Sequence, residues 1–124
     1  MDEPAIDAIA AKVRIALESA DLRQFEALLD PQVTWGPPGD SAPPCRNRQQ
    51  VLSWYAKGRE AGRRAQVRDL TTHGDKILVT MTVSSPDDAA SDRWQVLTVA
   101  HGRVTDIRGY DNERAALAAT GLTP

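Results

Sequence analysis

Apolar side chains near the start of the chain recur at three- and four-residue steps: Ile6, Ile9, Val13, Ala16, Leu17 and Ala20. That is the single stripe of an amphipathic helix, predicted over Asp2–Ala20. Pro4 falls in its first turn, where a missing N–H costs nothing. A second, shorter helix is predicted from Asp21, whose carboxylate can cap the free N–H groups while Gln24 reaches back. Leu22, Phe25, Leu28 and Leu29 form its inward side, and Pro31 ends it. Gln32–Trp35 reads as a short extended piece.

The next stretch, Gly36 to Pro44, holds four of the chain's eight prolines. It cannot be helical, and its stiffness suits a lid better than a linker. A third helix is predicted over Arg48–Ala61, with Asn47 as cap and Gln50 as its partner. Val51, Leu52, Trp54 and Tyr55 face inward, and Gly58 and Gly62 weaken its end. The remainder alternates as strands do: Ala65–Thr72 and Lys76–Ser84 around His73-Gly74-Asp75, then Trp94–Ala100 and Arg103–Tyr110 around His101-Gly102. Asp111 or Asn112 caps a last helix through Ala119, with Gly121 just beyond it. Helices followed by antiparallel strands give an α+β domain with helices on one face of a sheet.

Composition narrows the function. The 124 residues suit a single domain, 1–124. Fifteen basic and 17 acidic side chains leave a net charge of −2, so no positive field recruits nucleic acid or an anionic membrane. No apolar run approaches the roughly 18 residues that span a bilayer, and the acidic Met1-Asp2-Glu3-Pro4 is unlike an export signal. A single cysteine excludes an internal disulfide and fits a reducing cytoplasm. Two histidines and one cysteine are too few for an ordinary zinc site, and no D-x-D cluster suggests magnesium. No cofactor or metal is therefore expected. Twelve of the 15 basic residues are Arg, which suits a GC-rich bacterial genome.

Three segments, in this order and spacing, resemble the nuclear transport factor 2-like superfamily, in its snoaL-like branch of polyketide cyclases and ketosteroid isomerase relatives. They are Leu28-Leu29-Asp30-Pro31-Gln32-Val33-Thr34-Trp35, Cys45-Arg46-Asn47-Arg48-Gln49-Gln50-Val51-Leu52, and Trp94 to Val99 leading through Gly102-Arg103-Val104 to Gly109-Tyr110-Asp111. The resemblance runs from about Ile6 to Ala118. It implies a curved, mostly antiparallel sheet wrapped around the N-terminal helices, a conical pocket between them, and often a homodimer. The fold hosts enzymes and plain binders alike. Where the resemblance implies an isomerase's basic carboxylate, this chain has Trp35. Where it implies an epoxide hydrolase's acid in the last strand, it has Gly109, and Ile77–Val83 holds no matching Arg and Asp.

Taking His101-Gly102 as a two-residue turn pairs Thr98 with Thr105 and Val96 with Ile107. Alternation then puts Trp94, Val96, Thr98, Thr105, Ile107 and Gly109 on one face, and Gln95, Leu97, Val99, Val104, Asp106, Arg108 and Tyr110 on the other. The first set, uncharged at its centre, is predicted to face the helices; a one-residue error would exchange the two. The candidate ligand-binding residues are Trp35, Cys45, Trp54, Tyr55, Trp94, Val96, Ile107 and Gly109. His73 and His101 read as solvated turn residues. Cys45 reads as a packed thiol, the cations and helix start beside it leaving a reactive thiolate as the alternative. Arg59, Arg63, Arg64 and Arg68 read as a solvated helix end, with Glu60 and Arg64 paired, an anion-binding patch being the alternative. Asp40, in the proline segment, is the remaining candidate for an acid over the pocket.

The expected function is capture of a small hydrophobic ligand in an aromatic-lined pocket, with a homodimer formed through the outer sheet face. A cofactor-free isomerase, cyclase or hydrolase is the alternative, and a regulatory partner domain is a third reading.

Overall fold

A computed structural model describes residues 6–19, 22–87 and 89–122. The expected roles of Pro4 and Asp21 lie outside the described residues. Helices α1 (Ile6–Ser19) and α2 (Leu22–Leu28) lead into strand β1 (Leu29–Gly36). After the proline segment come α3 (Arg48–Glu60), β2 (Arg64–His73), β3 (Lys76–Ser84), β4 (Ser91–Ala100), β5 (Arg103–Tyr110) and α4 (Glu113–Thr120). The sheet order is β1-β5-β4-β3-β2, antiparallel throughout except for the parallel β1–β5 pair.

The caps are those the sequence indicates. Asn47 Oδ1 accepts from Gln50 N at 2.9 Å, Asn112 Oδ1 accepts from Ala115 N at 3.1 Å, and Gly121 ends α4 at φ +82°. Asn112, not Asp111, is therefore the cap of α4. The chain turns to strand at Leu29, two residues before Pro31. Residues preceding proline avoid helical geometry, and β1 is an edge strand, where a missing N–H is tolerated. Pro31 lies within the stretch where β1 loses register with β5.

One unpaired residue decides the faces. Ala100 pairs with Arg103 as expected, and Val99 with Val104, but Thr98 then pairs with Asp106 and Leu97 with Ile107. Thr105 is left over as a bulge, which shifts the phase of one strand against the other. Leu97, Val104 and Ile107 are thus fully buried on the face covered by α1, α2 and α3. Val96 and Trp94 lie on the opposite face, packed with Leu78 and Tyr110 against Ala116 and Leu117 of α4. The expected assignment holds for Ile107 and Gly109 and is reversed for Trp94, Val96 and Thr98. Helices accordingly cover both faces of the sheet, not one.

The main core joins Ile9, Val13 and Ala16 of α1 to Phe25, Val51 and the inner side chains Ile77, Val79, Met81 and Leu97. No helix among the described residues is long and apolar enough to cross a membrane. Because Leu97 is completely buried and Thr98 is not, Leu97→Ala is expected to cost about 2–5 kcal/mol in urea unfolding. Thr98→Ala, which loses only a 2.9 Å bond from Lys76 Nζ, should cost about 1 kcal/mol or less. The reverse order would restore the face assignment without the bulge.

Candidate functional site

The sheet and α3 enclose a cavity of about 540 Å³, within the range of roughly 300–1,000 Å³ usual for small-molecule sites. Its wall from β1 is Trp35 and Gly36, continued by Pro37 and Pro38; its wall from α3 is Trp54. The sheet contributes Met81, Val83, Gln95 and Gly109, and the mouth is rimmed by Ser84, Ser85, Ala89, Ser91, Arg63 and Arg93. A smaller cavity of about 170 Å³ lies beyond Trp54, toward Leu17, Phe25 and Tyr55, and shares Arg63, Met81, Val83 and Gln95 with the first.

Trp35 is held from three sides. Its backbone pairs with Ile107 in β5 and exchanges two hydrogen bonds with Cys45, at 3.0 and 3.3 Å, which closes the proline segment into a loop. Gly36 is needed there, because a Cβ would fall 2.8 Å from Pro43 Cβ. The Trp35 indole lies against Trp54 with centroids 4.0 Å apart and planes at 33°. A Cβ on Gly109 would sit 4.0 Å from the Trp35 ring, so the glycine leaves room for the indole on the sheet. Tyr55 meets Trp54 and Phe25 edge-on at 5.2 and 5.0 Å, a favourable aromatic geometry.

The polar groups in this apolar setting are few. Tyr55 Oη lies 3.3 Å from Gln95 Oε1 and 3.2 Å from Nε2, and Gln95 is buried. Desolvation pushes the Tyr55 hydroxyl up to about 12, against smaller lowering effects of Gln95 and the Trp35 indole. The Trp35 indole N–H lies close enough to the hydroxyl to lower it as a hydrogen-bond donor would, although the contact falls short of full hydrogen-bond geometry. That N–H is directed at the Tyr55–Gln95 pair inside the wall, so Gln95 is the polar side chain of this group that both cavities share.

The sequence candidates divide. Trp35, Trp54 and Gly109 line the larger cavity, Trp94 borders it while packing with α4 on the far face, and Tyr55 lines the smaller one. Ile107 is buried in the core beneath, Val96 is on the far face, and Cys45 is buried beside α3, its Sγ 3.7 Å from Gln50 O. Burial pushes the Cys45 thiol up, away from the thiolate that neighbouring cations would favour. Asp40 does not line either cavity. Its carboxylate accepts from Ala42 N at 2.9 Å and its carbonyl accepts from Arg108 Nη1 at 2.8 Å, so it braces the proline loop.

His73 Nδ1 meets Thr120 O at 2.7 Å, tying the β2–β3 hairpin to the end of α4, and His101 adopts φ +55° in its turn. Arg64 donates to the Arg63 and Arg59 carbonyls, so the bond it makes at the helix end is with backbone. Gln95, Arg93, Met81 and Val83 are among the lining residues that sequence reasoning missed, and Arg63, one of the four arginines read as a helix end, lines both cavities. The alternation that puts Leu97 inside also puts Gln95 and Arg93 inside, a signal hidden by the Thr105 bulge. Among the described residues no group of three or more His, Cys, Asp or Glu is arranged to hold a metal ion.

Raised in the folded state, the Tyr55 pKa makes the native chain hold its proton more tightly than the unfolded chain. That stability is complete below the unfolded value near 10 and is lost as pH rises toward about 12. Tyr55→Phe is expected to flatten this alkaline slope in denaturant titrations, and ultraviolet titration should show one phenol ionising near 12. A wild-type slope unchanged in the variant would mean that Tyr55 is not the group responsible.

Known proteins bear on the fold. A protein described as a proposed SnoaL-like polyketide cyclase from Jannaschia sp. CCS1 superimposes with a TM-score of 0.73 at 15% identity, covering 100% of this chain and 99% of its own. A proposed ketosteroid isomerase from Kribbella flavida gives 0.70 at 22% identity, covering 82% and 73%. A hypothetical protein with a ketosteroid isomerase-like fold from Catenulispora acidiphila, solved in complex with trimethylamine, gives 0.66 at 16%, covering 98% and 95%. No curated protein sequence matches the chain. The SnoaL-like domain matches residues 10–108, so the chain belongs to the SnoaL-like family of the nuclear transport factor 2-like superfamily.

Proposed function

We propose that this SnoaL-like domain binds a flat, largely apolar small molecule against Trp35 and Trp54. The observation that supports it is the pair of indoles at 4.0 Å facing a cavity of about 540 Å³. Gln95, held by Tyr55, supplies the polar contact in the apolar wall that orients such a ligand. Trp94 and Gly109 complete the candidate binding set, while Cys45, Val96 and Ile107 support the walls from behind.

Turnover is the weaker reading. The carboxylates along the two cavities are Asp111 and Glu18, both exposed, and Glu18 is engaged by Arg14 at 3.0 Å. Neither sits in the dry setting that tunes a carboxyl for proton transfer. The homodimer and cytoplasmic location expected from sequence belong to this proposal, and sedimentation velocity tests the first. The buried, unpaired Cys45 agrees with a reducing compartment.

Calorimetric titration with methyl 2-naphthoate, a neutral flat probe, tests the pocket. Binding is expected in the native chain and should weaken about tenfold in Trp54→Ala, which removes one aromatic wall. No heat of binding in the native chain, or equal binding in the variant, would falsify the proposal.

A further inference from the structure

The pocket has a charge polarity that its aromatic lining does not reveal. Arg93 is paired with Met81 across β3 and lies two residues from Gln95, so its side chain leaves β4 on the concave face. Asp92, one residue earlier, leaves on the other side, where it lies 3.9 Å from Arg68. Arg63 comes from the opposite wall, just past α3. There Gly62 turns at φ +89° and approaches the β3–β4 loop so closely that a Cβ would fall 2.7 Å from Pro86. This contact sets Arg63 beside the loop, with its guanidinium 6.0 Å from the centre of the Trp54 ring.

Neither Arg63 nor Arg93 has a carboxylate within 4.0 Å among the described residues. One acid, the exposed Asp111, lines the same cavity, so two guanidinium groups face one carboxylate around its rim. An anion placed there meets two planar donors left over by the protein itself, which suits a carboxylate well. A cation placed there would instead meet two groups of its own charge.

We propose that the ligand is an aromatic or polycyclic carboxylate, its rings against Trp35 and Trp54 and its carboxylate at the mouth between Arg63 and Arg93. This rests on the pocket reading above and adds the ligand's charge. No covalent step is involved; the groups act by charge and hydrogen bonding alone.

Calorimetry with three matched probes tests it on the intact chain at neutral pH and low ionic strength: 2-naphthoate, methyl 2-naphthoate and 2-naphthylmethyl-trimethylammonium. The naphthoate is expected to bind about tenfold tighter than the ester, with the ammonium weakest, and added salt should narrow the gap. Arg63→Gln and Arg93→Gln should each weaken naphthoate about fivefold and leave the ester within about twofold. Both arginines are exposed, so thermal melts superimposing on the native one separate lost binding from lost folding. An ester that binds as tightly as naphthoate, or an ammonium that binds best, overturns the charge assignment while leaving the pocket intact. Naphthoate binding unchanged in both variants overturns it as well. If none of the three binds, the pocket reading has failed and this inference falls with it.

Discussion

Prolines remove backbone donors, and the segment after β1 has four of them. Its backbone bonds are therefore few, Asp40 N donating to Pro37 O within it and the Trp35–Cys45 pair closing its ends, and Arg108 adds the rest. From the outer face of β5, Nη1 donates to Pro37 O at 2.9 Å and to Asp40 O at 2.8 Å. The Nε group lies 3.1 Å from both oxygens of Asp106, which also accepts from the Thr34 hydroxyl of β1. One partly buried guanidinium thus joins β5, β1 and the loop. A charge-assisted cluster of this kind is stronger than its neutral equivalent, and losing one member leaves the others unsatisfied.

That clamp is what makes an aromatic pocket possible on so short an edge strand. β1 pairs with β5 alone, and it loses register between Leu29 and Thr34. Trp35 is fixed because the strand regains register at Thr34 and because the loop returns to bond Cys45 across from it. The fixed indole then stacks on Trp54, which meets Tyr55, which in turn bonds buried Gln95. Edge strand, loop, α3 and central strand are linked through a run of contacts between large, stiff side chains, and the cavity is the space these cannot fill.

The order of elements, the proline loop, both hairpin turns, the Asn47 and Gly121 caps and the family were legible because each depends on local chemistry. The Asp106–Arg108 pair was legible too, from strand alternation within β5. What was hidden was the bulge. Thr105 carries no mark that separates an unpaired residue from a paired one, and its omission turned Trp94 and Val96 inward on paper while turning Gln95 and Leu97 outward. The same error concealed Arg93. Arg63 was hidden differently, since four arginines around a helix end look alike until Gly62 and Pro86 decide which of them lies over Trp54.

The ends of the strands explain why a dry interior and a charged rim coexist. Ile77, Leu97 and Val104 sit where α1, α2 and α3 complete the core, and all three are fully buried. The other end of the sheet gathers the close of β1, β3 and β5 with the start of β4, beyond that cover, and this is where Gly36, Ser84, Gly109 and Arg93 line the cavity. A guanidinium at such an end keeps its water while its donors reach inward, so it avoids the desolvation cost that a charge beside Leu97 would incur. For the ligand proposed above, the buried base would offer apolar area, Gln95 one polar contact, and the rim a place where charge is matched without cost to the fold.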